Sequence, residues 1–70
     1  MERTPVVSSN VASIGYDPEQ MILEVEFLQG GVYQYFDVPV QIFTDFLSAE
    51  SKGRFLWQNI RDVYEYSRIG

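Results

Sequence analysis

Apolar and polar positions alternate most clearly in the first half of the chain. Over Met21–Phe27, Leu23, Val25 and Phe27 alternate with Glu24 and Glu26. A period of two predicts a strand with one apolar face and one acidic face. Gln29-Gly30-Gly31 follows, and paired glycines supply the positive φ that a tight hairpin turn requires. Val32–Phe36 alternates again, with Tyr33 and Tyr35 on one face and Val32, Gln34 and Phe36 on the other. Upstream, Val11–Tyr16 reads as a shorter strand that ends in the turn Asp17-Pro18-Glu19-Gln20. Residues 1–10, with Pro5 and the cluster Ser8-Ser9-Asn10, read as an extended arm.

The period changes after Pro39, which is well placed for the first turn of a helix. Val40, Phe43, Phe46 and Leu47 recur at helical spacing. Ser51 has the character of a cap for a second helix, with Lys52, Gly53 and Arg54 in its first turn. Leu56, Ile60, Val63 and Tyr64 then form a stripe, and residues 65–70 trail off as a tail. The expected fold is α+β: a three-stranded antiparallel meander packed against two C-terminal helices. It forms one domain over residues 1–70, with the arm at 1–10, the meander at 11–37 and the helical part at 39–64.

Composition adds a constraint on the core. Seventy residues bury only about 60% of the surface their unfolded chain exposes, which is near the lower limit for independent folding. With no cysteine there are no disulfides to help, so the eleven aromatics must supply density. Phe27, Phe36, Phe43, Phe46 and Phe55 are therefore expected in structural positions. No apolar run exceeds three residues, so no membrane association is expected. The first residues lack the apolar centre of a signal peptide, and a cytoplasmic location is the default.

The missing residue types also argue against catalysis. There is no histidine, the commonest general base and metal ligand, and no thiolate nucleophile. Ser51 and Lys52 are sequence neighbours and lack the spacing that sets a serine and a lysine on one helix face. Glu24 and Glu26 share a strand face, where a solvated outer surface is the usual outcome. Their spacing matches no calcium loop. The chain is not expected to be an enzyme, and neither a metal nor another cofactor is implied.

Charge is unevenly placed. The chain carries a net charge of -5, yet residues 1–49 hold one basic and seven acidic side chains while residues 50–70 hold four basic and three acidic. Lys52, Arg54, Arg61 and Arg68 thus form the one positive neighbourhood. At the start of the second helix, Ser51, Lys52, Gly53 and Arg54 combine unpaired backbone N–H groups, an open backbone and two full charges, which suits a phosphate. The plainer reading is that Ser51 only caps, Gly53 only packs and the cations are solvated. Tyr33 and Tyr35 suit base stacking if they face water and core packing if they face the helices; the hairpin register decides. Trp57 offers a third aromatic surface, for a base or for a core or dimer contact. Duplex DNA is not expected, because so few cations neutralise few phosphates.

Three segments together resemble a known family. The runs SSNVASIGYD, GGVYQYFDVP and SAESKGRFLWQNIRDVY are similar to the KTSC domain, which is named for a C-terminal extension of some lysyl-tRNA synthetases and also occurs as a small bacterial or phage protein. The most specific pieces are Tyr33-x-Tyr35 with Val38-Pro39, and Ser51-x-Gly53 leading to Ile60-Arg61 and Tyr64. The resemblance spans Val7 to Arg68 and implies RNA binding, by association with a tRNA synthetase. The leading expectation is a binding module for single-stranded RNA or tRNA. Lys52, Gly53, Arg54 and Arg61, with Ser51, hold phosphate while Tyr33, Tyr35 and Trp57 stack bases. The alternatives are a protein-interaction or self-associating domain that uses the same aromatics, and a site for a small anionic metabolite or nucleotide.

Overall fold

A computed structural model describes residues Met1–Gly70. The chain runs through strands β1 (Arg3–Pro5), β2 (Val11–Asp17), β3 (Ile22–Phe27) and β4 (Val32–Tyr35). Helices α1 (Val40–Ser48) and α2 (Lys52–Asn59) follow, and then strand β5 (Tyr66–Arg68). All five strands lie in one antiparallel sheet in chain order. The α+β class is as expected, but the sheet has five strands where three were expected. The residues read as an arm and a tail supply the two outer strands. The helices consequently sit between β4 and β5 and are not C-terminal.

Local chemistry explains the turns. Between β2 and β3, the Asp17 carboxylate accepts from the backbone N–H groups of Glu19 and Gln20 at 3.0 and 3.3 Å, and Met21 turns through φ +57°. Between β3 and β4, Gly30 and Gly31 adopt φ of +106° and +94°, where a side chain would be strained. Pro39 is the residue before the first turn of α1, not a member of it. Ser51 does cap α2, its hydroxyl accepting from the Arg54 N–H at 3.2 Å. The helix ends earlier than its apolar stripe suggested. Ile60 closes it, Asp62 takes φ +63°, and Val63 is left 60% exposed.

Register assigns the two faces of the sheet. Directly opposed residues share a face, so Ile14, Val25, Tyr33 and Arg68 form one row, and Tyr16, Leu23, Tyr35 and Tyr66 form the next. The helices cover this face. Its core holds Val11, Ile14, Leu23 and Val25 from the sheet with Val38, Phe46, Leu56 and Ile60 from beyond β4. Phe46 stacks on Phe55 at 5.4 Å, and Phe43 stacks on Tyr16 at 5.0 Å. Phe27, Phe43 and Phe55 are half-buried against that core, whereas Phe36 is half-buried away from it.

The other face is polar but not simply solvated. Arg3, Gly15, Glu24, Gln34 and Ser67 follow one another across the five strands. Because Gly15 has no side chain, Arg3 reaches across it and donates to Glu24 Oε2 at 2.7 Å, while Gln34 donates to Oε1 at 2.9 Å. Glu24 is only 7% exposed, contrary to the solvated surface expected of it. β1 is the reason, since its pairing brings a counter-charge over the acidic face. Glu26 accepts from the Ser13 hydroxyl at 2.8 Å. No helix is long and apolar enough to cross a membrane.

Candidate functional site

The helices do not cover their whole side of the sheet. α1 packs on β2 and against α2, and the β4–β5 part of that face stays open beside α2. A groove of about 670 Å³ results. Phe27, Tyr33, Tyr35 and Tyr66 form its sheet wall, while Gly53, Leu56 and Trp57 of α2, with Arg61 and Asp62 just past the end of that helix, form the other. The loop before β2 adds Asn10, and the β3–β4 turn adds Gln29 and Gly30.

Its aromatic wall follows from register and not from one segment. Tyr66 of β5 pairs with Tyr35, and its ring centre lies 5.9 Å from that of Tyr35 and 5.7 Å from that of Tyr33. Phe27 meets Tyr33 edge to face at 5.5 Å. Across the groove, Trp57 is 61% exposed and carries the Arg61 guanidinium 4.2 Å from its ring centre. Such a pair sets a cation beside a stacking surface. Arg68 flanks the opposite side, 5.9 Å from the Tyr33 ring centre.

Tyr35 is the buried polar group of the groove. It is 5% exposed, yet its hydroxyl bonds to no other group of the chain, and no sealed side-chain polar atom lacks a partner. The hydroxyl therefore opens into the groove. Burial is the main cause that pushes it above the usual tyrosine range, followed by Tyr33, with Tyr66 and Asp62 adding and Arg61 opposing. At neutral pH it is a hydrogen-bond donor. By contrast, Tyr16 spends its hydroxyl on the Val38 carbonyl.

The predicted site residues thus divide. Tyr33, Tyr35, Gly53, Trp57 and Arg61 come together in the groove. Ser51, Lys52 and Arg54 stand outside its lining: Ser51 is occupied as a cap, and the Lys52 ammonium donates to the Ala49 carbonyl. Gly53 is held against the loop before β2, since a Cβ built on it would stand 2.6 Å from Asn10 Oδ1. Asn10 and Tyr66 carry no site expectation from the sequence, and Phe27, expected in a structural position, also lines the groove. A tail of three paired residues has no periodicity to find, although a second Tyr-x-Tyr, at Tyr64 and Tyr66, was present as a signal.

Comparison with known proteins covers the same elements. The KTSC domain model matches residues 7–64, which include β2–β4 and both helices. A protein of Stutzerimonas stutzeri is 46% identical over 70 residues, 99% of both chains. A protein of Tsukamurella paurometabola is 48% identical over 52 residues, 74% of this chain and 78% of that one. A lysine–tRNA ligase of Nostoc is 30% identical over 61 residues, which are 87% of this chain and 11% of the ligase. The crystal structure of a KTSC domain protein from Yersinia pestis superposes with a TM-score of 0.96 at 45% identity, over 99% of this chain and 97% of that one. Sequence and fold agree across the elements that wall the groove, and the chain belongs to the KTSC domain family.

Proposed function

We propose that the protein is a non-enzymatic binding module whose groove takes single-stranded RNA. The observation that carries this reading is the meeting of Tyr33, Tyr35 and Tyr66 with Trp57 and Arg61 around one open groove. Aromatic faces stack unpaired bases, and an adjacent guanidinium holds phosphate without needing a basic surface elsewhere. That matters in a chain of net charge -5. The likeness to a segment of a lysine–tRNA ligase supports an RNA setting by analogy. A duplex fits poorly, because its affinity depends on many phosphate contacts.

The anion site first read at the start of α2 carries less weight in this reading. Ser51 and Lys52 have partners within the chain, and Asn10 abuts Gly53. Phosphate contact moves about two to three turns along, to Arg61. The single tryptophan gives the test. Trp57 fluorescence is expected to quench on addition of a short single-stranded RNA and to recover as salt is raised. An unchanged emission at millimolar RNA contradicts the reading. A protein partner is the second reading, favoured by the exposure of Trp57 and Tyr66 at 61% and 60%. It predicts a response to a partner that persists in salt.

A further inference from the structure

We infer that the groove receives one or two unpaired nucleotides, with the Tyr35 hydroxyl donating to an acceptor on the base or sugar, and does not track an extended strand. This rests on the RNA reading above and narrows its ligand.

Size is the first argument. Pockets of about 300–1,000 Å³ enclose small-molecule ligands, and a nucleotide belongs to that class. At about 670 Å³ the groove falls within that range. Proteins that track single strands instead offer a long positive channel spanning about 4–16 nucleotides per module.

The cations are the second argument, because all five are accounted for. Arg3 is paired with Glu24 on the opposite face of the sheet. Lys52 is bound to the Ala49 carbonyl, and Arg54 lies outside the lining. Only Arg61 lines the groove, and only Arg68 flanks it, over Tyr33. Two cations contact one or two phosphates.

Tyr35 supplies the third. The Tyr35 residue is 95% buried while its hydroxyl reaches the groove with no partner in the protein, so the bond it donates must go to water or to a ligand. The Tyr66 ring packs beside those of both Tyr33 and Tyr35, so a base stacked on this wall, or its ribose, would bring an acceptor edge near that hydroxyl.

The test is a length series of adenylates, namely the mononucleotide and the di-, tetra- and octa-adenylates, titrated by calorimetry across a range of salt. Affinity is expected to differ by no more than about tenfold between the di- and octa-adenylates, which the added binding registers explain. The slope of log K against log salt for the octamer is expected between about -0.7 and -1.4. Tyr35→Phe keeps the ring packing and is expected to weaken the dinucleotide by about 3- to 10-fold. Affinity that climbs more than about tenfold with length, or a slope steeper than that range, overturns the inference while the RNA reading stands. An undiminished affinity in Tyr35→Phe removes the proposed donor. Absence of binding by every adenylate refutes the RNA reading, and this inference with it.

Discussion

The Arg61 guanidinium, just past the end of α2, lies 4.2 Å from the centre of the Trp57 ring on the wall of the groove. Neither side chain supports the core: Trp57 is 61% exposed, and Arg61 is exposed and without an acidic partner. Stability and binding should therefore separate. Trp57→Ala is expected to change unfolding free energy by less than about 1 kcal/mol. The same change should weaken RNA binding by about 1–3 kcal/mol, the usual worth of a stacked base. Arg61→Ala should cut the salt slope by about 0.7. Denaturant unfolding and calorimetric titration of each variant check both halves.

Gly15 and Gly53 predict different outcomes for the same substitution. A Cβ on Gly15 would stand 2.7 Å from the Glu2 carbonyl oxygen and 3.0 Å from Arg3 Cγ, so backbone must move. Gly15→Ala is expected to cost about 1–3 kcal/mol by displacing β1. At Gly53 the obstacle is the Asn10 side-chain oxygen, which can swing away. Gly53→Ala should cost less than about 1 kcal/mol, and Asn10→Ala should make the same change neutral or stabilising through helix propensity. Urea unfolding of the two singles and the double checks the coupling.

The Arg3–Glu24 pair should matter more than a surface ion pair. Glu24 is buried and accepts from both Arg3 and Gln34, so Arg3→Ala leaves a carboxylate half-satisfied. The expected cost is about 1–3 kcal/mol, short of a fully buried pair because Arg3 is 30% exposed. Glu24→Gln should be milder, since it keeps an acceptor for Gln34. Thermal unfolding of both variants gives the order, and loss of protection at the β1–β2 amides in hydrogen exchange localises it.

Alkaline pH should weaken the fold through its tyrosines. Burial raises Tyr35 above the ordinary tyrosine value of about 10, and burial with Asp17 raises Tyr16. A group with a raised folded value contributes its stability below the unfolded value and loses it as pH rises through the folded one. Stability should hold to about pH 9 and fall above about pH 10. Tyr35→Phe should flatten that fall in part, with Tyr16 supplying the remainder. Urea midpoints across this range, followed with tyrosinate absorbance, test the sign.

How much of this was legible depended on where each signal lay. β3 and β4 were readable because alternation and the Gly30-Gly31 turn are local. β1 and β5 were not, because each has three residues and owes its existence to a partner strand. Pairing of Arg3 with Gly15 spans the arm, and pairing of Tyr66 with Tyr35 spans both helices. The same long-range pairing buried Glu24 and built the tyrosine wall. Tyr33 and Tyr35 could be placed on one face from sequence, but only register shows that this face is also the helix side. The cap at Ser51 was legible too, and it spends the Arg54 N–H, one of the donors that an anion at the start of α2 would need.

The most direct test maps the groove by NMR. Isotope-labelled protein titrated with a short single-stranded RNA, at low and at physiological salt, should shift the amides of Tyr33, Tyr35, Trp57, Arg61 and Tyr66. Those shifts should weaken with salt, while Arg3, Ser13 and Glu24 on the opposite face stay fixed. No shifts at millimolar RNA, or shifts confined to that opposite face, would contradict the account.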